Sequence, residues 1–170
     1  YFEDDQTFGQ NPASDSESFD HLSPKVSLSY ALSDDASIYA SIAEGFRSGG
    51  FNADIDENYD PETVRTYEVG AKASLLNNRL SVAGALFHSQ YLDYQGAELI
   101  NVALNQEATT NPGEVEMQGF EFSTQFSVSE QFSIGLSGHY LDTEFVKIAD
   151  PAASPFNLGD PVNYTPKYSY

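Results

Sequence analysis

The sequence predicts an all-β protein, specifically part of a transmembrane antiparallel β-barrel with about six full strands and part of a seventh, and three observations point there. Period-two alternation of apolar and polar residues recurs along most of the chain, and no long helical pattern appears. The connections between the alternating runs are of two kinds, tight and long, in strict alternation. The acidic residues avoid the apolar faces and collect in the first twenty residues and the long connections.

The first run sets Val26, Leu28, Tyr30 and Leu32 against Lys25, Ser27, Ser29 and Ala31, with Pro24 at its start, where a missing N–H is tolerated. The second sets Ile38, Ala40, Ile42 and Phe46 against Tyr39, Ser41, Ala43, Gly45 and Arg47; Glu44 interrupts the apolar face and belongs at a rim or bulge. The third sets Tyr67, Val69, Ala71, Ala73 and Leu75 against Glu68, Gly70, Lys72 and Ser74. The fourth sets Leu80, Val82, Gly84 and Leu86 against Ser81, Ala83, Ala85 and Phe87. The fifth opposes Phe120, Phe122, Thr124 and Phe126 to Gly119, Glu121, Ser123 and Gln125, and the sixth Phe132, Ile134, Leu136, Gly138 and Tyr140 to Ser133, Gly135, Ser137 and His139. A seventh begins near Tyr164.

Tight turns at Ser33-Asp34-Asp35-Ala36, Leu76-Asn77-Asn78-Arg79 and Ser127-Val128-Ser129-Glu130 join the runs pairwise. Long polar loops at about 52–62, 96–112 and 147–163 separate the pairs. One short-turned rim and one long-looped rim are the mark of an outer-membrane barrel. A span of about 11 residues, rising roughly 3.3 Å each at about 45° tilt, covers the apolar band of such a barrel. Aromatics mark both ends of the runs, Tyr30, Tyr39, Phe126 and Phe132 by the turns and Phe46, Tyr67, Tyr91, Tyr94 and Tyr140 opposite, as lipid interfaces select. A soluble β-sandwich also alternates, but its strands rarely reach this length with such regular connections.

Seven Lys+Arg against 26 Asp+Glu give a net charge of −19, which excludes nucleic acid as a partner. Apolar residues at 40% and aromatics at 14% exclude an acidic disordered chain, and the absence of Cys excludes disulfides and thiolate sites. The chain lacks an initiator Met and stops inside an alternating run, so the reading is of a piece of something longer. Six strands and part of a seventh cannot close, and hydrocarbon does not permit open sheet edges, so further strands are expected in the intact protein.

By parity Lys25, Arg47, Glu68, Lys72 and Glu121 face inward, where a lumen tolerates charge. Gly70, Gly119 and Gly135 share that face, leaving room for another backbone. His21, His88 and His139 are scattered, and no nucleophile elbow accompanies them. The run Asp54, Asp56, Asn58 and Asp60 is oxygen-rich, but Tyr59 stands where a calcium loop needs Gly and Arg65 where it needs a closing Glu. No catalytic, cofactor-binding or metal-ligating residue is therefore assigned. Arg47, Phe51, Tyr91 and Tyr94 lie where strands pass into long loops and are the ligand-facing candidates. Their rings can stack on a planar catecholate or sugar, and the guanidinium can fork onto a carboxylate or hydroxamate. The net charge works against an anionic ligand.

Three motifs resemble the TonB-dependent outer-membrane receptors, in particular the barrel of siderophore-receptor-like members. The first is Phe19 with Leu22-Ser23-Pro24-Lys25-Val26, followed by Tyr39-Ala40-Ser41 and Glu44-Gly45-Phe46-Arg47-Ser48-Gly49-Gly50-Phe51-Asn52. The second is Pro61-Glu62-Thr63 with Tyr67-Glu68-Val69-Gly70-Ala71-Lys72, and the third Gly119-Phe120-Glu121. The resemblance implies a barrel of about 22 strands with a plugged lumen. It implies, too, an N-terminal plug and C-terminal strands beyond this chain, a place in the outer membrane of a Gram-negative bacterium in contact with its lipid, and energy delivered by the TonB complex through the N-terminal part. The implied activity is active uptake of a scarce nutrient, with a ferric siderophore as the first expectation. A passive diffusion channel is the main rival.

Overall fold

The structure, a computed structural model, describes residues 2–7, 16–52, 58–101, 103, 106–152 and 154–170. Its elements are β1 (Phe2–Thr7), β2 (Ser16–His21), β3 (Lys25–Ser33), β4 (Ala36–Arg47), β5 (Gly50–Phe51), β6 (Asn58–Tyr59), β7 (Glu62–Leu75), β8 (Leu80–Asn101), β9 (Gln106–Ser127), β10 (Ser133–Ile148) and β11 (Tyr168–Ser169). Seven of them form one antiparallel sheet in the order β11-β10-β9-β8-β7-β4-β3, while β1-β2 and β5-β6 pair separately. Among the described residues the main sheet is open at β3 and β11.

The register brings the alternation of each run onto a common face. Leu28, Ala40, Val69, Leu86, Phe120 and Tyr140 stand in one row across six strands, and Val26, Ile42, Tyr67 and His88 in the next. A one-residue slip in any strand would turn its apolar set inward. Most of these side chains are exposed, Leu28 at 75%, with His88 and Tyr140 half-buried; in water this would be an aggregation surface and in a bilayer it is the lipid contact. The row Glu44, Arg65, Gln90, Glu116 and Glu144 follows on the same face toward the long-looped rim, so Glu44 does sit at a rim. There it accepts from Arg65 Nη2 at 2.9 Å and lies 3.2 Å from His21 Nε2.

The short rim is braced across strands. Leu76, Asn77 and Asn78 all have left-handed φ (55°, 55° and 65°), a conformation Asn accepts readily, and they turn β7 into β8. Arg79 then donates to the carbonyls of Ser127 and Val128 in the neighbouring turn, at 3.1 and 2.9 Å, with its guanidinium 5.4 Å from the Phe126 ring centre.

Four expectations change. Residues 96–112 are not a loop: β8 and β9 run 22 residues each and carry their pairing far beyond the apolar rows. Its few large apolar residues, Leu99 and Ile100, are adjacent and so fall on opposite faces, and the extension lacks the one-sided alternation that reveals a half-buried strand. β1 and β2, in the acidic first twenty residues, form a hairpin for the same reason unannounced. Tyr39 is not a girdle residue, because its ring lies inward over Gly70, in the row Ser29, Tyr39, Gly70, Ala85, Glu121 and His139. Gly70 and Gly119 are accordingly filled from within the sheet, by the Tyr39 ring and by the Tyr140 carbonyl, and leave no gap for a second backbone; Gly135 is open.

Candidate functional site

The inner face changes character along the strands. Toward the short turns it is a concavity of about 710 Å³ lined by Ser37, Ser74, Ser81, Ser123 and Ser137, small hydroxyls that bind water as readily as any ligand. Charge follows in the middle, with Lys72 Nζ 5.5 Å from the Tyr39 ring centre. Toward the long-looped rim the wall becomes aromatic, and there the sequence candidates lie.

Arg47 ends β4 and stands opposite Glu62, the first residue of β7. Arg47 is exposed and belongs to none of the ion pairs found among the described residues. Glu62 is buried, 9% exposed, and its Oε2 accepts the Gln95 N–H at 2.7 Å. Burial pushes its carboxyl above the ordinary carboxylate range, against the pull of that hydrogen bond and of Arg47.

Tyr91 faces inward by parity, in the row Val64, Tyr91, Val115 and Phe145. Tyr94 would face outward if the strand were regular. The register shifts between Tyr91 and Tyr94, where Asp93 takes a left-handed φ of 51°, and this bulge returns Tyr94 to the inner side. Its ring meets that of Tyr91 edge-on at 6.0 Å and that of Phe145 edge-on at 6.0 Å. Phe145 stacks in turn on Phe156 at 4.6 Å, and Val115, Phe145 and Val162 form the buried core of this rim. Burial raises both phenols above their usual range, and the negative charge of Glu62 adds to it.

Three of the four candidates, Arg47, Tyr91 and Tyr94, thus gather around Glu62. Phe51 lies apart in β5, half-buried, on a loop held to the β8–β9 hairpin by amide side chains. Asn52 Nδ2 donates to Thr109 O at 2.9 Å while Thr109 N donates to Asn52 Oδ1 at 2.8 Å. Asn111 Oδ1 accepts from Asp60 N at 2.7 Å, and Asn111 Nδ2 donates to Asp60 O and Asp93 O. Gln95 Nε2 donates to Ser48 O at 2.8 Å and to Asp60 O at 2.9 Å, closing the two ends of the loop together. Asp54 and Asp56 lie outside the described residues.

Glu62, Gln95, Phe145 and Phe156 are site residues that parity alone did not single out. Glu62 stood inside a quoted motif, Pro61-Glu62-Thr63, but nothing in its spacing foretold burial. Beside this group a cleft of about 360 Å³ opens between Ala97, Glu98 and Leu99 on one side and Phe156 and Asp160 on the other, and burial raises the Glu98 carboxyl as well. The arrangement offers flat aromatic surface, one exposed guanidinium and a surplus of carboxylates: the equipment of a binding site.

The family model described as "TonB dependent receptor-like, beta-barrel" matches residues 1–170. The metal-pseudopaline receptor CntO of Pseudomonas aeruginosa is 28% identical over 124 residues, 73% of this chain and 17% of that protein. The probable TonB-dependent siderophore receptor PiuA of Acinetobacter baumannii is 25% identical over 138 residues, 75% of this chain and 18% of that one. The chain therefore spans less than a fifth of the length of these relatives. Among solved structures, siderophore receptor PiuA from Acinetobacter baumannii superposes with a TM-score of 0.72 at 21% identity, over 98% of this chain and 26% of the other. The ferric yersiniabactin uptake receptor FyuA from Yersinia pestis does so with a TM-score of 0.71 at 20% identity, over 91% and 23%.

Proposed function

Since the chain belongs to the TonB-dependent receptor β-barrel family, whose members sit in the outer membrane of Gram-negative bacteria, we propose that it forms part of a receptor that takes up a scarce nutrient across that membrane. The observation that carries this reading is the gathering of Arg47, Tyr91 and Tyr94 on the inner wall at the long-looped rim, above a continuous lipid-facing surface. A ligand that has passed the β8–β9 extension meets that aromatic wall at the mouth. Phe51 adds a ring on the adjoining loop, and the guanidinium of Arg47, in no ion pair among the described residues, can fork onto ligand oxygens.

The nutrient is a ferric siderophore, in keeping with the chain's similarity to the siderophore receptor PiuA and the ferric yersiniabactin uptake receptor FyuA; on this reading the intact protein carries an N-terminal plug, further strands and a TonB contact outside this chain. Its function is binding and transport, without an enzymatic step. A passive channel would share the lipid face but has no use for a binding wall at its mouth.

Uptake of radiolabelled ferric chelates by iron-starved cells carrying the intact receptor tests the reading. Accumulation that stops when the proton gradient is collapsed supports it. Accumulation indifferent to the gradient and linear with concentration would replace it with the channel.

A further inference from the structure

Resting on that uptake reading, we propose that Glu62 sets the charge preference of the mouth, favouring cationic or uncharged chelates over polyanionic ones. Arg47 and Glu62 are opposite charges at opposite positions of the β4–β7 ladder, but they do not weigh equally. Arg47 is exposed, so water and salt screen it; Glu62 is buried, and its field spreads through a less polarisable surrounding. The phenols of Tyr91 and Tyr94, which feel its charge from β8, are neutral and cannot offset it. The other local cation, Lys147, is committed to Glu114 at 2.6 Å, while Asp60, Asp93, Glu98 and Asp160 add negative charge around the rim.

The Glu62 carboxylate also has fewer donors than a buried charge requires. Its single hydrogen bond among the described residues is from the Gln95 N–H, and the Oε1 of Gln95, itself in a residue 5% exposed, is buried with no hydrogen-bond partner among them. An ammonium or N–H group on a ligand supplies at this junction what the protein omits. A polyanion adds repulsion to a charge already poorly solvated. A hydroxamate with a free ammonium satisfies both ends of the site, its oxygens toward Arg47 and its cation toward Glu62.

The test uses the intact receptor and two probes: a cationic ferric trihydroxamate carrying a free ammonium, and a trianionic ferric tris-catecholate. Wild-type protein should bind the first at least about tenfold more tightly. Glu62→Gln keeps an acceptor for the Gln95 N–H and nearly the same volume while deleting the charge, and should bring the two affinities within about threefold of one another. A wild-type preference for the tris-catecholate overturns the proposal without recourse to any variant. An unchanged ratio in Glu62→Gln, even with both affinities lowered, overturns it by assigning Glu62 to structure alone. If wild type binds and imports neither these nor any other ferric chelate, the uptake reading fails, and this inference with it.

Discussion

The ring of Tyr39 on β4 lies across Gly70 on β7, so close that a Cβ on residue 70 would fall 2.5 Å from its carbons. The aromatic ring covers backbone that glycine leaves bare. Gly70→Val should therefore destabilise the barrel by about 1–3 kcal/mol, the usual range for forced overpacking. In a Tyr39→Ala background the same change should cost much less. Urea titration of protein refolded into bilayers measures both, and equal costs would dissolve the pairing.

The lipid face makes a second prediction. Leu136 stands exposed on the apolar side and Ser137 next to it on the inner side. Leu136→Arg should cost about 2–4 kcal/mol if it lies near the bilayer midplane, and Ser137→Arg far less. Comparable losses at the two sites would mean that the faces have been assigned the wrong way round.

Sidedness gives a third. The chain contains no Cys, so single replacements can be labelled cleanly. A membrane-impermeant maleimide on whole cells should modify Gln106→Cys, at the far end of the β8–β9 hairpin, and spare Asn77→Cys in a short turn. Labelling at residue 77 from outside would invert the topology.

Glu62 has a pH signature of known sign. Its carboxyl titrates higher in the folded protein than in the unfolded chain, chiefly because it is buried. A raised value means the folded state holds the proton more tightly. The favourable contribution is complete below the ordinary Glu range and is lost as pH rises through the folded value. Glu62→Gln should accordingly match wild type at acidic pH and equal or exceed it in urea midpoint near neutrality. A variant less stable at neutral pH than at acidic pH, relative to wild type, contradicts the sign.

Phe145, 1% exposed, is the keystone between Tyr94 and the stacked ring of Phe156. Its backbone N–H donates to Asp160 O and its carbonyl accepts from Gly159 N. Phe145→Ala should forfeit about 3–5 kcal/mol of packing, mostly local to the rim. Limited proteolysis should then cut within 154–163 while the membrane-embedded strands stay protected. Uniform protection would show that this segment is held by its backbone contacts alone.

How much was legible follows from where burial is one-sided. Each run from Val26 to Tyr140 touches lipid on one face and the lumen on the other, so its period is two and its register could be read from the letters. The extension of β8 and β9 past Tyr94 is broken by register shifts between Tyr94 and Gly96 and between Leu99 and Asn101, and Thr109, Thr110 and Asn111 gave no alternation to follow. Tyr94 failed parity outright, because a bulge at Asp93 reverses the side of everything beyond it and a single residue with positive φ leaves little trace in sequence. Arg47 and Tyr91 were found because they are the last inward positions of regular strands. Glu62 was passed over because its burial depends on Gln95, a partner 33 residues away.

The side-chain amide of Gln95 bridges the carbonyls of Ser48 and Asp60, so the chain leaves β4 and returns to β7 through a closed neck. A segment tied in this way is a replaceable cassette. Insertions, deletions or wholesale exchange of the residues inside the neck leave β4 and β7 in register, because the tie lies outside what is exchanged. The outward face can thus change its sequence and its shape without the folding of the sheet being solved afresh.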